Sequence, residues 1–402
     1  MALGQSGPPP PCRGSACVVY DESLTGYDFG PTHPMNPVRV DLTMALARDL
    51  GVLDERLPCV PAPYASEAEL ATVHDTAMIA AVKNISEAGQ LDLAHGLGTE
   101  DNPTFPHMHD ASRHVVGASI EAARRVWSGE MLHAANIAGG LHHAMPNRAS
   151  GFCVYNDVAV AIRWLLANGA GKIAYVDVDV HHGDGVEAIF YDDPRVLTIS
   201  LHETGQMLFP GTGFPGDTGG PDAEGSAVNV ALPPGTTDSG WLRAFHAVVP
   251  PLLSEFAPDI LVTQHGCDSH RDDPLAHLAL SVDGQRASYL ALHELAHSAA
   301  GGRWVALGGG GYDIVRVVPR AWTHLLAIVA GRPLDPAQPT PDSWREEVQR
   351  RLGVRGPEAM GEGQEPSFRD WSEGYNPDIW LDRSIEATRA ATFPANGLDP
   401  LP

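Results

Sequence analysis

Between residues 16 and 330 the chain alternates short apolar runs with stretches of helical period. Ala16-Cys17-Val18-Val19-Tyr20, Lys172-Ile173-Ala174-Tyr175-Val176, Val196 to Leu201, Ile260 to Gln264 and Trp304 to Leu307 are rich in β-branched and aromatic residues and read as buried strands. Between them, apolar positions recur at helical spacing over Val40 to Leu50, Glu67 to Glu87, Ala111 to Trp127, Met131 to Ala135, Asp157 to about Ala167, Trp241 to Phe256 and Gln285 to Ala300. Strands alternating with helices predict a mostly parallel central sheet with helices on both faces. The prolines of His33-Pro34-Met35-Asn36-Pro37-Val38-Arg39 exclude regular structure there, and Arg39 opens a helix where a cation opposes the dipole, so it either has a task elsewhere or is an exposed loop arginine. Residues 96–109 read as a loop. The pattern divides into a Gly/Pro/Ser-rich tail over 1–15 predicted to be disordered, one α/β domain over 16–330, and a C-terminal extension over 331–402 packed on or trailing it.

Polar residues cluster where these strands end. Asp177-Val178-Asp179-Val180-His181-His182-Gly183-Asp184-Gly185 follows the run 172–176, and continued strand alternation puts Asp177, Asp179 and His181 on one face. His202 follows the next strand, Gln264-His265-Gly266-Cys267-Asp268 another, and Gly308-Gly309-Gly310-Gly311-Tyr312 the last. In open parallel sheets, ligands bind outside the carboxyl ends of the strands. Carboxylates set among apolar residues are costly to desolvate unless a cation offsets them. Asp179, His181 and Asp268 form a set of two carboxylates and one imidazole that leaves positions open for water and substrate. Zinc is the expected ion, Fe2+ the alternative. Cys153 and Cys267 are softer ligand candidates, and alternation turns Cys267 away from the side of Asp268.

The chain of 402 residues holds 26 basic and 50 acidic side chains, a formal charge of -24, which argues against sequence-independent nucleic-acid binding. Five irregularly spaced cysteines do not make a disulfide framework and suit a reducing cytoplasm. No apolar run approaches the roughly 20 residues a membrane-spanning helix needs, and residues 1–13 lack a signal-peptide core, so a soluble protein is expected.

Taken in order, His33-Pro34-Met35, Gly140-Leu141-His142-His143-Ala144, Gly151-Phe152-Cys153, Asp177 to Gly185, Phe209-Pro210-Gly211-Thr212-Gly213, Gln264 to Asp268 and Gly308 to Tyr312 resemble the zinc-dependent histone deacetylase family. Within it the chain is most similar to the bacterial acetoin-utilization (AcuC-type) deacetylases, whose end Phe393-Pro394-Ala395-Asn396-Gly397-Leu398-Asp399-Pro400 also resembles. The resemblance implies a single arginase/deacetylase-type domain that hydrolyses the acetyl amide of acetyl-lysine in a protein, such as acetyl-coenzyme A synthetase, with Zn2+ held by Asp179, His181 and Asp268. It implies that His142 and His143 flank the attacking water, backed by Asp177 and Asp184 respectively, and that Tyr312 donates to the developing oxyanion. It places Gly151, Phe152 and Phe209 on a narrow tunnel, Leu275 at its rim, Asp101 at its mouth, and Arg39 with Gly139 and Gly140 on a channel for acetate. A structural K+ would use main-chain oxygens of Asp177, Asp179, His181 and Leu201 and the Ser200 hydroxyl. A two-metal ureohydrolase needs an acid at position 183, where this chain has Gly183. An acetylpolyamine amidohydrolase would carry a long insertion, and none stands between Gly89 and His109. A non-catalytic acetyl-ligand binding protein would have lost a ligand or the tyrosine. The oligomeric state is open.

Overall fold

A computed structural model describes residues 15–89 and 91–402. The predicted tail thus lies outside the described residues except for Ser15. Eight strands form one sheet among the described residues: β1 (Ala16–Val19), β2 (Cys59–Val60), β3 (His133–Asn136), β4 (Ile173–Asp177), β5 (Val196–Glu203), β6 (Ala227–Leu232), β7 (Ile260–Gln264) and β8 (Trp304–Leu307). The spatial order is β2-β1-β3-β8-β7-β4-β5-β6, and every pairing is parallel. All residues of β3, β4, β5, β7 and β8 are buried, as in parallel strands covered on both faces, although β3 and β5 bury polar side chains as well.

The helices α1 (Val38–Asp49), α2 (Glu67–Leu70), α3 (Thr76–Ala88), α4 (Met108–Trp127), α5 (Asp157–Ala167), α6 (Asp184–Phe190), α7 (Asp238–Phe256), α8 (Val282–Ala299), α9 (Val318–Val329), α10 (Asp342–Leu352) and α11 (Trp380–Thr392) cover the sheet. Helix α4 packs on β3 and α5, while α1, α9, α8 and α7 pack in succession. Every residue of α9 is buried, as expected of a helix enclosed by neighbours. The C-terminal residues join the same body. Trp344 of α10 donates Nε1–H to the Leu42 carbonyl at 2.9 Å. Helix α11 lies on the edge strand β6, where Asp382 pairs with the buried Arg243 at 2.8 Å and the Thr388 hydroxyl donates to the Asn229 carbonyl at 2.6 Å.

Three sequence expectations fail for physical reasons. Met131 to Ala135 is not helical: residues 133–136 form β3, because hydrogen bonding to β1 on one side and β8 on the other overrides a short helical period. Glu67 to Glu87 is two helices, not one. Ser66 and Glu69 form a capping box for α2, and then His74 turns inward, its Nδ1 against the Met145 carbonyl at 3.1 Å and its Nε2 accepting from the Asn156 amide at 2.9 Å. Strand β4 stops at Asp177, so no ladder carries Asp179 and His181. The chain bends there because each carboxylate accepts the amide two residues on and competes with the ladder, Asp179 N–H to Asp177 Oδ1 at 3.1 Å and His181 N–H to Asp179 Oδ1 at 3.0 Å.

Candidate active site

The four loops that carry the chemistry leave β3, β8, β7 and β4, which are adjacent in the sheet although distant in sequence. The chain enters β4 only after crossing from β3, and the crevice sits at that change of direction.

Asp179, His181 and Asp268 each bring a ligand atom within 4.8 Å of the others, and all three are buried. His181 Nδ1 lies 3.2 Å from Asp179 Oδ1 and 3.1 Å from Asp268 Oδ2. Gln264 Nε2 and the Gly310 amide donate to Asp179 Oδ2 at 2.7 and 2.8 Å, and the Val180 amide donates to Asp268 Oδ1 at 2.9 Å. Two buried carboxylates around one imidazole fit a divalent cation. Burial raises both carboxyls; His142 and His181 outweigh it at Asp179 and hold that group low, whereas burial and the charge of Asp179 prevail at Asp268 and push it up. A bound cation relieves that competition. Gly310 is required here, since a Cβ on it would stand 2.0 Å from Asp268 Oδ2. Neither Cys153 nor Cys267 joins the cluster: their Sγ atoms lie against the Gly151 and Gly310 carbonyls.

Beside the cluster, His142 Nδ1 meets Asp177 Oδ2 at 2.7 Å and His143 Nδ1 meets Asp184 Oδ1 at 2.7 Å, while the two Nε2 atoms face each other at 3.0 Å. Asp177 Oδ2 also accepts the Tyr175 hydroxyl at 2.6 Å. The two imidazoles differ in basicity. Burial lowers both, but Asp177 and Asp179 more than offset it at His142 and raise that pKa, whereas His143 stays low because His142 adds to the penalty. A Cβ at Gly183 would fall 2.3 Å from Asp177 Oδ2, so no acid side chain for a second metal fits there.

A cavity of about 210 Å³ reaches these groups, lined by Asp101, His143, Gly151, Phe152, His181, Leu208, Phe209, Leu275 and Tyr312. His143 faces it, while His142 lies behind. Phe209 is 43% exposed and marks the solvent end together with the exposed Asp101. Phe152 meets Tyr312 edge to face at 5.7 Å and holds φ +67°, a left-handed conformation that costs a bulky residue energy. That backbone is pinned by Tyr27, whose hydroxyl donates to the Phe152 carbonyl at 2.7 Å and accepts the Val154 amide at 3.0 Å. Burial, then the charges of Asp268 and Asp179, keep the Tyr312 phenol far above its ordinary pKa, so it remains a donor at neutral pH. Its amide donates to Asp273 Oδ2 at 2.8 Å.

Arg39 is buried, with Nη1 donating to the Gly309 and Gly311 carbonyls at 2.8 and 3.1 Å and its guanidinium 5.0 Å above the Trp322 ring. The 139–140 turn abuts the same loop, since a Cβ on Gly140 would stand 2.4 Å from the Gly308 oxygen. Asp157, the first residue of α5, is the carboxylate that shapes this turn, accepting from the Leu141 amide at 2.7 Å, the Gly140 amide and the Ser119 hydroxyl. Ser200 pairs in register with Asp177, and the Glu203 amide donates to the Val180 carbonyl at 2.8 Å, which brings Val180 beside Glu203 at the end of β5. His202 does not reach the crevice: it lies inside β5, with Nε2 on the Gly213 carbonyl and Nδ1 on the Ser200 hydroxyl. Sequence reading assigned no role to Tyr27, Asp157's turn contacts, Gln264, Asp273 or Leu208, since each acts through contacts made far along the chain.

Sheet order and convergent site together define an arginase/deacetylase-type hydrolase. Residues 33–329 match the histone deacetylase domain, and the chain belongs to the histone deacetylase family. It is 42% identical over 348 residues to the acetoin utilization protein AcuC of Bacillus subtilis (strain 168), covering 86% of this chain and 89% of that one. With AcuC of Staphylococcus aureus (strain MRSA252) it shares 38% identity over 319 residues, 79% of this chain and 82% of that one. Among solved structures, it resembles an HDAC homolog complexed with SAHA, with a TM-score of 0.79, 26% identity and coverage of 93% and 99% of the two chains. The HD domain of HDA15 aligns with a TM-score of 0.72 at 29% identity, covering 85% of this chain and 95% of that one. The chain is therefore a deacetylase of AcuC type. No helix among the described residues is long and apolar enough to cross a membrane.

Proposed function

We propose that the chain hydrolyses the acetyl amide of acetyl-lysine in a protein substrate, releasing acetate and free lysine. The observation that carries this reading is the narrow cavity, which runs from exposed Asp101 and Phe209 to His143, His181 and Tyr312 at its inner end. Asp179, His181 and Asp268 would hold the divalent cation, zinc by preference and Fe2+ as the alternative. When bound, that ion polarises the amide carbonyl and makes water a better nucleophile.

The protein's own groups supply the rest. His143 faces the cavity and takes the proton from the attacking water, then returns it to the leaving amine, as amide cleavage requires. Asp184 fixes its tautomer, because a carboxylate on Nδ1 holds the proton there and leaves the Nε2 lone pair inward. His142, backed by Asp177, carries charge behind it. Tyr312 donates to the carbonyl oxygen as negative charge develops. Phe152 and Phe209 flank the lysine stem, Gly151 lets the wall approach His143, Leu275 forms the rim, and Asp101 accepts from the substrate backbone. Arg39, Gly139 and Gly140 line the exit of acetate. K+ would bind main-chain oxygens of Asp177, Asp179, His181 and Leu201 with the Ser200 hydroxyl, a reading supported by the pairing of Asp177 with Ser200 in the β4–β5 register. The partner is an acetylated metabolic enzyme of the acetyl-coenzyme A synthetase kind. The test is acetate release from an acetyl-lysine peptide and from an N-acetylated polyamine, side by side. Turnover of the peptide is expected; turnover of the polyamine alone, or binding without turnover, overturns the reading.

A further inference from the structure

We propose that Asp273 is a positioning residue for amide hydrolysis: its carboxyl group ties Tyr312, the oxyanion donor, to Leu275 at the cavity rim. The inference rests on the reading of the cavity given above. Asp273 is buried and lies beyond Asp268 in the loop between β7 and α8. Its Oδ2 accepts the Tyr312 amide at 2.8 Å and its Oδ1 accepts the Leu275 amide at 3.0 Å. The Leu275 contact is local, an acid closing a turn over Pro274, and such a turn carries no function by itself. The Tyr312 contact is not local, since it joins the loop after β7 to the loop after β8.

Tyr312 needs such an anchor because of the residues before it. Gly308 to Gly311 supply no side chain, and Gly309 and Gly311 hold φ of +154° and +139°, so this run keeps one course only where its polar groups are fixed. The Gly308 amide donates to the Asn136 carbonyl at 3.0 Å, the Gly310 amide to Asp179, and the Gly310 carbonyl accepts the Cys267 amide at 2.9 Å. Arg39 holds the carbonyls of Gly309 and Gly311. The next amide is that of Tyr312, and its one proton goes to Asp273. The phenol thus projects from backbone held by that carboxyl, with its ring placed against Phe152. The two ends of the tie differ in how they bear its loss. The rim keeps a second anchor just past Leu275, where buried Glu203 accepts the His277 amide at 2.8 Å and meets its Nδ1 at 2.9 Å. Farther back in the same loop, His270 Nε2 lies 3.0 Å from Glu362 Oε1. The glycine run offers Tyr312 no side chain as a substitute. Loss of Asp273 therefore falls on turnover more than on peptide binding.

The test is a double-mutant cycle in metal-loaded, full-length protein, with kcat and KM measured on an acetyl-lysine peptide and metal content and melting temperature in parallel. Asp273→Asn keeps the shape of the side chain but replaces one oxygen with an NH2 group, so one of the two amides meets a donor instead of an acceptor. It should lower kcat about tenfold, move KM by less than about threefold and retain the metal. In the Tyr312→Phe background the hydroxyl that Asp273 aims is already gone, and Asp273→Asn should lower kcat by less than about twofold further. An acid that merely supports the fold would cost the same factor in both backgrounds. Equal losses in the two, wild-type kcat in Asp273→Asn, or loss of its metal overturns the proposal. Asp273→Ala makes the same comparison should Asp273→Asn fail to fold. A wild type that does not turn over the peptide sinks the deacetylase reading, whereas an active wild type with equal losses in both backgrounds sinks the role of Asp273 alone.

Discussion

Gly151→Ala is the substitution for which the structure gives the sharpest expectation. Gly151 has φ +52°, and a Cβ there would lie 2.4 Å from His143 Cδ2, 2.8 Å from Cγ and 2.9 Å from Phe209 Cε1. Carbon atoms rest about 3.5–4.0 Å apart, so the imidazole has to withdraw by about 1 Å. It is not free to do so, since Asp184 holds Nδ1 at 2.7 Å and the ring is buried. The left-handed backbone costs alanine about 1–2 kcal/mol and overpacking about 1–3 kcal/mol more. A displacement of about 1 Å at a group that transfers protons lowers turnover about 100-fold. Gly353→Ala separates these effects. Gly353 has φ +72° with nothing within 4 Å of an added Cβ, so that variant should lose about 1–2 kcal/mol of stability by denaturant unfolding and no turnover. Steady-state kinetics on an acetyl-lysine peptide, with bound metal measured in parallel, decide the matter. Gly151→Ala turnover within twofold of wild type, at full metal content, would refute the placement of His143 at the reacting end of the cavity.

Other perturbations probe the remaining contacts. Asp268→Ala should empty the Asp179–His181–Asp268 cluster and abolish acetate release, as elemental analysis and turnover together will show. His143→Ala should lose more of the chemical step than His142→Ala, with the metal retained in both, because only His143 faces the cavity; a fully active His143→Ala contradicts this. Tyr27→Phe leaves the Phe152 carbonyl and Val154 amide without their partner and should lower kcat/KM about tenfold or more, with a stability loss of about 1–3 kcal/mol, measured by kinetics and urea unfolding. Asp382→Ala strands the buried Arg243 and should cost about 3 kcal/mol by the same unfolding assay, with turnover unchanged at 25 °C. Burial raises the Asp382 carboxyl but Arg243 more than offsets it, so its folded pKa is depressed. Its stabilisation is thus present above the unfolded value near ~4 and fades as pH falls below that; a wild-type minus variant difference that grows on acidification contradicts the assignment.

The strands with long apolar runs were legible in sequence, since β4, β7 and β8 are buried on both faces and need no partner to be recognised. Strand β3 was not, because His-Ala-Ala-Asn becomes a strand only between β1 and β8. Strand β6 was missed for a related reason: Ala227 to Leu232 is a sheet edge whose burial comes from α11, some 150 residues later. At the site, Asp179, His181 and Asp268 announce themselves as acids and imidazole at strand ends, and the structure gathers them. Tyr27 and Asp157 do not, because neither touches the cavity. They act by holding the backbone of Phe152 and of the 139–141 turn, which no local spacing encodes.

The most direct measurement pairs the turnover of Tyr312→Phe with its affinity for an acetyl-lysine peptide. The substitution removes one hydroxyl at the inner end of the cavity and leaves the ring against Phe152. A donor to a developing oxyanion acts in the transition state, so kcat should fall by about 100-fold or more while peptide Kd, metal content and melting temperature stay near wild type. Wild-type kcat in that variant, with the peptide bound and the metal in place, would contradict the assignment of Tyr312 and with it the reading of the cavity as the site of amide hydrolysis.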